Sequence, residues 1–307
     1  YKEKGFTSHD VVAKLRGILH MKKIGHTGTL DPDAVGVLPV CLGKGTGLVS
    51  MITDWTKTYE AVMLLGTTTD TQDTSGNVLT KSVVDVDERT VLEVCSQFEG
   101  EYEQIPPMYS ALKVNGKKLY ELARKGIEIE RKPRTVHINT LRVNDINLSD
   151  KQKTVTITVD CSKGTYIRTL CQDIGEKLSC GACMESLLRT KVSEFCVQDA
   201  LRLSEIEERV QKAAGQTQSE QWNAEMFDFI YAVDSVFLQY KKAVICKEWN
   251  KLLYNGNRMK KDMFVSYQKD WEQQKVRIYD EEGRFIGIYE YSEIHGDYKP
   301  VKLFMEA

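Results

Sequence analysis

At 307 residues, 41% hydrophobic and 28% charged, the chain has material for one large domain plus a smaller one, and for a real apolar core; a disordered or low-complexity chain is excluded. A net charge of −2 excludes a polycation, and no apolar run approaches the roughly 18–20 residues of a membrane-spanning helix. Eight scattered cysteines, with no export signal in view, read as the reduced thiols of a cytoplasmic protein.

Taken in chain order, Ser8 is expected to cap a helix, with Asp10 in its first turn and Val11, Val12, Leu15, Ile18 and Leu19 on one face. The glycine-rich stretch 25–36, containing "GHTGTLDP", ends that helix as a loop. Residues 59–66 read as a strand, followed by the polar turn run "TTTDTQDTSGN". Paired prolines, Asn115-Gly116 and a short basic helix then mark an excursion from the core. Residues 111–135 carry eight Lys or Arg against three Glu, which suits a polyanion bound at one place and equally an ordinary solvated face. Residues 154–160 alternate as a strand with Val155, Ile157 and Val159 on one face. After "CSKG" a helix is expected with Ile167, Leu170, Cys171, Ile174 and Leu178 inward. The acidic stretch 203–234 reads as helix and connector, and 275–291 as a β-hairpin turning at Glu282-Gly283. Strands and helices are mixed without regular alternation, so an α/β (α+β) sheet protein is expected.

Several residues could carry chemistry. Pro32 pushes Asp31 toward extended backbone, and Gly25, Gly28 and Gly36 allow tight turns around it. A carboxylate so held could be a nucleophile, a general base, or a turn-former bonded to its own backbone. In "SKGTYIRT", Tyr166 and Arg168 flank the inward Ile167 at a helix start, where Lys163 and Arg168 favour an anion and Arg168 could pair with a carboxylate. "GKGTG" at 43–47 fails as a phosphate loop because Gly45 follows Lys44 where Ser or Thr is required. "CGAC" at 180–183 is half a zinc signature, and Cys171 falls on an apolar helix face, so no metal site is expected.

Four blocks, "GHTGTLDPDAVGVLPVCLGKGT", "KTYEAVMLLGTTTDTQDTSG", "QIPPMYSALKVNGKKLYELARKG" and "CSKGTYIRTLCQDIGEKLSCGA", stand in the order and spacing of the TruB-type tRNA pseudouridine synthases, which the chain resembles over about residues 1–200. The resemblance implies the pseudouridine synthase fold: a central mixed, mostly antiparallel sheet flanked by helices and loops. It implies a catalytic domain at 1–235, with an RNA-clamping insertion at about 104–135, and a PUA-like RNA-binding domain at 236–307. The implied activity is isomerisation of a T-loop uridine of tRNA, position 55, to pseudouridine, with Asp31 as nucleophile. His26 would support the rearranged T loop, Tyr59 would stack on the flipped base, and Asp73, Tyr166, Arg168 and Leu187 would complete the substrate site. Lys113, Lys117, Lys118, Arg124, Lys125 and Lys163 would contact RNA. The resemblance implies no cofactor, no metal, no guide RNA and a monomer. Glu3 and Leu188 depart from the family pattern, which commonly has proline and arginine there, and the family's leading strand would precede Tyr1. The competing readings are a tRNA-folding chaperone, a guide-RNA-dependent synthase, and a hydrolase using Asp31 as general base.

Overall fold

A computed structural model of the chain describes residues 1–114, 116–216 and 227–305. Asn115 of the expected turn and residues 217–226 of the acidic connector lie outside them. The elements begin with α1 (Ser8–Ile18), β1 (Ile24–His26), β2 (Val35–Gly36), β3 (Val40–Leu42), α2 (Val49–Thr53), β4 (Lys57–Leu65), β5 (Thr67–Thr69) and β6 (Val78–Lys81). There follow α3 (Glu88–Ser96), β7 (Gly100–Gln104), β8 (Lys113–Val114), β9 (Lys117–Lys118), α4 (Leu119–Ala123), β10 (Arg134–Asn147) and β11 (Thr154–Cys161). The rest are α5 (Ile167–Lys177), β12 (Ala182–Val192), β13 (Phe195–Cys196), α6 (Leu203–Gln216), β14 (Lys241–Ile245), α7 (Asn250–Tyr254), β15 (Lys275–Asp280), β16 (Phe285–Ser292) and β17 (Asp297–Leu303). They pack as two compact units: Tyr1–Val11, Gly28–Pro39 and Thr53–Leu203 in one; Val12–Thr27, Val40–Ile52 and Ser204–Ala307 in the other.

The first unit is built on a seven-stranded sheet in the order β13-β12-β4-β11-β10-β7, with β2 added in parallel on β12 and every other pair antiparallel. The period-2 pattern of β11 sends Val155, Ile157 and Val159 into the core, where all three are fully buried. The helical period of α5 lays Ile167, Leu170, Cys171 and Ile174 against the same face, with Leu178 just past its end. Burying each such aliphatic chain is worth about 1.5–3 kcal/mol, which outweighs the weak local preferences of these segments. Gly175 permits the close approach of α5 to β12: a Cβ there would lie 2.2 Å from the Ala182 nitrogen.

The expected helix at residue 8 is present, but its cap is Thr7 and not Ser8. Thr7 Oγ1 accepts from the Asp10 N–H at 3.1 Å, and Asp10 Oδ2 accepts from the Thr7 N–H at 2.8 Å. Ser8 is buried instead, and its hydroxyl accepts from the Leu30 N–H at 3.0 Å. Two adjacent hydroxyl residues compete for one cap, and the tertiary bond to Leu30 decides between them.

In the second unit, β1 and β3 form an antiparallel pair. The C-terminal sheet runs β14-β15-β16-β17, with β14 and β15 parallel. The expected hairpin is β15–β16. Gly283 takes a positive φ of 82°, and Asp280 Oδ1 accepts from the Arg284 N–H at 2.9 Å to close the turn. A separate core of Ile245, Leu253, Trp271, Ile278, Tyr289 and Tyr298 fills this unit.

All eight cysteines are free, six of them buried, including Cys180 and Cys183 of "CGAC". Among the described residues, no group of three or more His, Cys, Asp or Glu is placed to hold a metal ion, and no helix is long and apolar enough to cross a membrane.

Gly36 is as tight a point of the first unit as Gly175. Its φ is +118°, and a Cβ would sit 2.2 Å from the Arg189 carbonyl oxygen, where β2 pairs with β12. Gly36→Ala is therefore expected to lose about 3 kcal/mol from backbone strain and overpacking, read as the shift of a urea midpoint. Gly17→Ala, in α1 with nothing within 4 Å of its Cβ, is the control and should gain about 0.5–1 kcal/mol.

Candidate active site

Asp31 stands on a loop tied down from three sides. Lys2, wholly buried, donates from Nζ to the carbonyls of Pro32 (3.0 Å) and Ala34 (2.6 Å). Ser8 holds Leu30. Arg189, only 1% exposed, donates to Val37 O (2.8 Å) and Gly28 O (3.3 Å), so one guanidinium clasps both ends of the loop. A local turn closes with the Ala34 N–H on Asp31 O at 3.1 Å. Burial depresses the Lys2 ammonium to about 8, a cost borne by its carbonyl bonds and by the nearby charge of Asp31.

The carboxylate is committed to Arg168 and not to its own turn. Arg168 Nε lies 2.9 Å from Asp31 Oδ2, and Nη2 donates to Oδ1 at 3.2 Å, a two-point fork. The same guanidinium donates to Thr71 O (3.0 Å) and Tyr109 O (2.9 Å), so it is set by two further loops. Its side chain is 6% exposed, while that of Asp31 is 40% exposed. One partner is thus buried and fixed, and the other faces outward. Burial raises the Asp31 pKa above the ordinary carboxylate value; Arg168 pulls it down, and the charge of Asp73 pushes it up again.

Asp73 approaches Arg168 Nε at 3.8 Å through Oδ2. Its Oδ1 is used locally, accepting from Thr71 Oγ1 (2.7 Å), the Ser75 N–H (3.0 Å) and Ser75 Oγ (2.5 Å). Tyr59 sits in mid-sheet on β4, opposite Val159 on one side and Arg189 on the other. Burial pushes its phenol up, and the neighbouring Arg189 charge pulls the other way. Tyr166, at the start of α5, is likewise pushed up by burial, and the charge of Asp31 reaches both phenols. Both tyrosines are therefore neutral rings able to donate. Leu187 is buried on β12, one step from Arg189 on the same side of the strand.

Asp31, Tyr59, Asp73, Tyr166, Arg168 and Leu187 all belong to the first unit. His26 lies on β1 of the second, paired in register with Val40. Of the basic residues, Lys113, Lys117, Arg124 and Lys125 are exposed. Lys118 and Arg124 each lie 5.4 Å from the Tyr120 ring centre. Lys163 pairs with Asp54 at 2.6 Å. Sequence reading missed Lys2, Gln104 and Arg189. A charged residue inside the apolar run of β12 was the one available signal, for Arg189; nothing near Lys2 or Gln104 marks them as buried.

The family model described as TruB family pseudouridylate synthase (N terminal domain) matches residues 16–167, and the tRNA pseudouridylate synthase B C-terminal domain matches 168–238. The chain belongs to the TruB family. A tRNA pseudouridine synthase B from Lachnoclostridium phytofermentans is 53% identical over 99% of this chain and 98% of its own length. Its namesake from Alkaliphilus oremlandii is 42% identical over 94% and 90%. Among solved structures, a chain of a Cbf5-Nop10-Gar1 complex is 26% identical with a TM-score of 0.70, covering 99% of this chain and 83% of that one. A chain of an H/ACA RNP bound to a substrate RNA containing 2'-deoxyuridine, at 23% identity and a TM-score of 0.68, shares the fold over 99% of this chain and 83% of its own.

Proposed function

We propose that this protein isomerises the T-loop uridine at position 55 of tRNA to pseudouridine, with Asp31 as the nucleophile and without a guide RNA. The observation that carries the reading is the Asp31–Arg168 fork, which aims one outward-facing carboxylate beside two neutral tyrosine rings. In the reaction the N1–C1′ bond breaks and a C5–C1′ bond forms, while C5 gives up a proton and N1 gains one. Atoms balance with no group added and no electrons exchanged. A base inside a stacked stem is out of reach, so the uridine is flipped out and held against an aromatic face. Tyr59 supplies that face, Leu187 lines the pocket, and Tyr166 and Asp73 contact the nucleoside. His26 supports the remodelled loop.

The exposed Lys113, Lys117, Arg124 and Lys125, with Lys118, grip phosphates of the T stem, a contact that positions RNA without reading sequence. Having its own clamp, the chain acts alone as a monomer. Catalysis lies in residues 1–235, and 236–307 add a small RNA-binding domain. Buried, protonated thiols suit a cytoplasmic enzyme.

Incubating the purified protein with an unmodified tRNA transcript, and mapping pseudouridine by mass, tests the reading. Conversion of one T-loop uridine with no other RNA or protein present is the expected result. Product only after adding cell RNA overturns guide independence, and release of free uracil overturns isomerisation.

A further inference from the structure

Tyr166 is gripped by its main chain, and the grip comes from a residue 62 positions earlier. Gln104 ends β7 and is 1% exposed. Its Oε1 accepts from the Tyr166 N–H at 2.7 Å, and its Nε2 donates to the Tyr166 carbonyl at 3.0 Å. The same Nε2 donates to Tyr102 Oη at 3.1 Å, and that hydroxyl donates in turn to Asp173 of α5. A primary amide is a neutral side chain that can donate and accept in one plane, so Gln104 satisfies both polar groups of one residue's backbone.

The residue so held is the N-cap of α5, in extended geometry (φ −97°, ψ 108°), with no capping bond from its own side chain. Two residues on stands Arg168, which orients Asp31. The chain running on from Gln104 adds a second hold: Tyr109, past the stiff Pro106-Pro107 pair, gives its carbonyl to Arg168. Segment 104–109 thus touches the start of α5 at both Tyr166 and Arg168.

We propose that Gln104 is a positioning residue for the isomerisation, its amide setting the pose in which the Tyr166 ring and the Arg168 guanidinium meet Asp31 and the substrate. This rests on the reading above, in which Tyr166 and Asp31 face the flipped nucleoside. Gln104 is buried and bonds to Tyr166 and Tyr102, not to Asp31; it acts through Tyr166.

Gln104→Glu tests it. The ionised carboxylate still accepts from the Tyr166 N–H but sets its second oxygen against the Tyr166 carbonyl; protonation restores one donor. In steady-state assays on a T-stem hairpin, the variant's kcat is expected to fall about ten- to hundredfold, a misplacement effect. KM should stay within about threefold, because the RNA-gripping surface is untouched. The ratio of variant to wild-type rate should rise as pH is lowered through the carboxyl's titration. Gln104→Met, neutral and close in size, should show the same loss with no pH-dependent recovery, and it serves as the probe if the Glu variant does not fold. A wild-type rate in both variants overturns the proposal, as does a loss carried wholly by KM or a Glu/Met pair with identical pH profiles. Wild-type enzyme is assayed alongside: its failure to make pseudouridine would overturn the functional reading, whereas a normal wild type with indifferent variants overturns Gln104's role alone.

Discussion

Asp31→Asn is expected to lose at least about four orders of magnitude in pseudouridine formation, the scale on which removing a nucleophile acts. tRNA binding should stay within a few-fold of wild type. The substitution preserves shape, and the 40% exposed side chain is not a structural core element. One amide oxygen can still accept from Arg168, but the NH2 group faces the other donor of the fork, so the pair loosens. Folding stability should change little, for a reason that follows from linkage. Because burial raises the folded-state pKa of Asp31 above its unfolded value, the folded chain holds that proton more tightly. The group's contribution to stability is then greatest below the unfolded pKa and is lost as pH rises through the folded pKa. At neutral pH the charge is a cost, which the neutral amide removes, offsetting the weakened bond to Arg168. Single-turnover kinetics, filter binding and a thermal melt together check the expectation. Turnover within tenfold of wild type would remove Asp31 from the chemistry.

Arg168→Met should be damaging in two separable ways. It strands the carbonyls of Thr71 and Tyr109 and takes the cation from Asp31. The expected loss of stability is about 2–3 kcal/mol, below that of a fully buried pair because the acid is partly solvated. Turnover should drop by about a thousandfold, since the carboxylate loses its aim. The pH profile gives the sharper test. The reactive form is the ionised one, so the rate falls as pH drops through the folded pKa of Asp31. Arg168 is the largest influence lowering that pKa against burial. Without it the pKa rises further, and the acid limb of kcat moves to higher pH. An Arg168→Lys variant, which keeps charge and loses the fork, should keep the limb nearer its wild-type position while still losing rate. A limb that does not move in the Met variant would mean that Asp31 ionisation does not govern the reaction.

The elements of this protein follow from short-range pattern wherever one periodicity dominates. Alternation along 154–160, the helical spacing from Ile167 to Leu178, and the hairpin around Gly283 all appear where the residues put them. Each is a statement about one face of one segment, and burial of that face suffices to select the structure. The helix at residue 8 shows the limit at its first residue: Thr7 and Ser8 are chemically alike, and the choice of cap belongs to Leu30, which lies 22 positions away.

The site divides along the same line. A proline after Asp31 and glycines around it are local constraints, so a stiff loop presenting one acid was readable from eight residues of chain. Four motif blocks in register were enough to name the family. Pairing of that acid with Arg168 was legible as a possibility, in an arginine at a helix start able to meet a carboxylate. Clasping of the loop by Lys2 and Arg189, and fixing of Tyr166 by Gln104, were not readable, for one physical reason. Each is a hydrogen bond between a side chain and a group 30 to 161 positions distant. Most of the accepting groups are backbone carbonyls, which every residue carries and which leave no mark in composition or spacing. Only a folded sheet and helix decide which carbonyl a buried cation or amide will find.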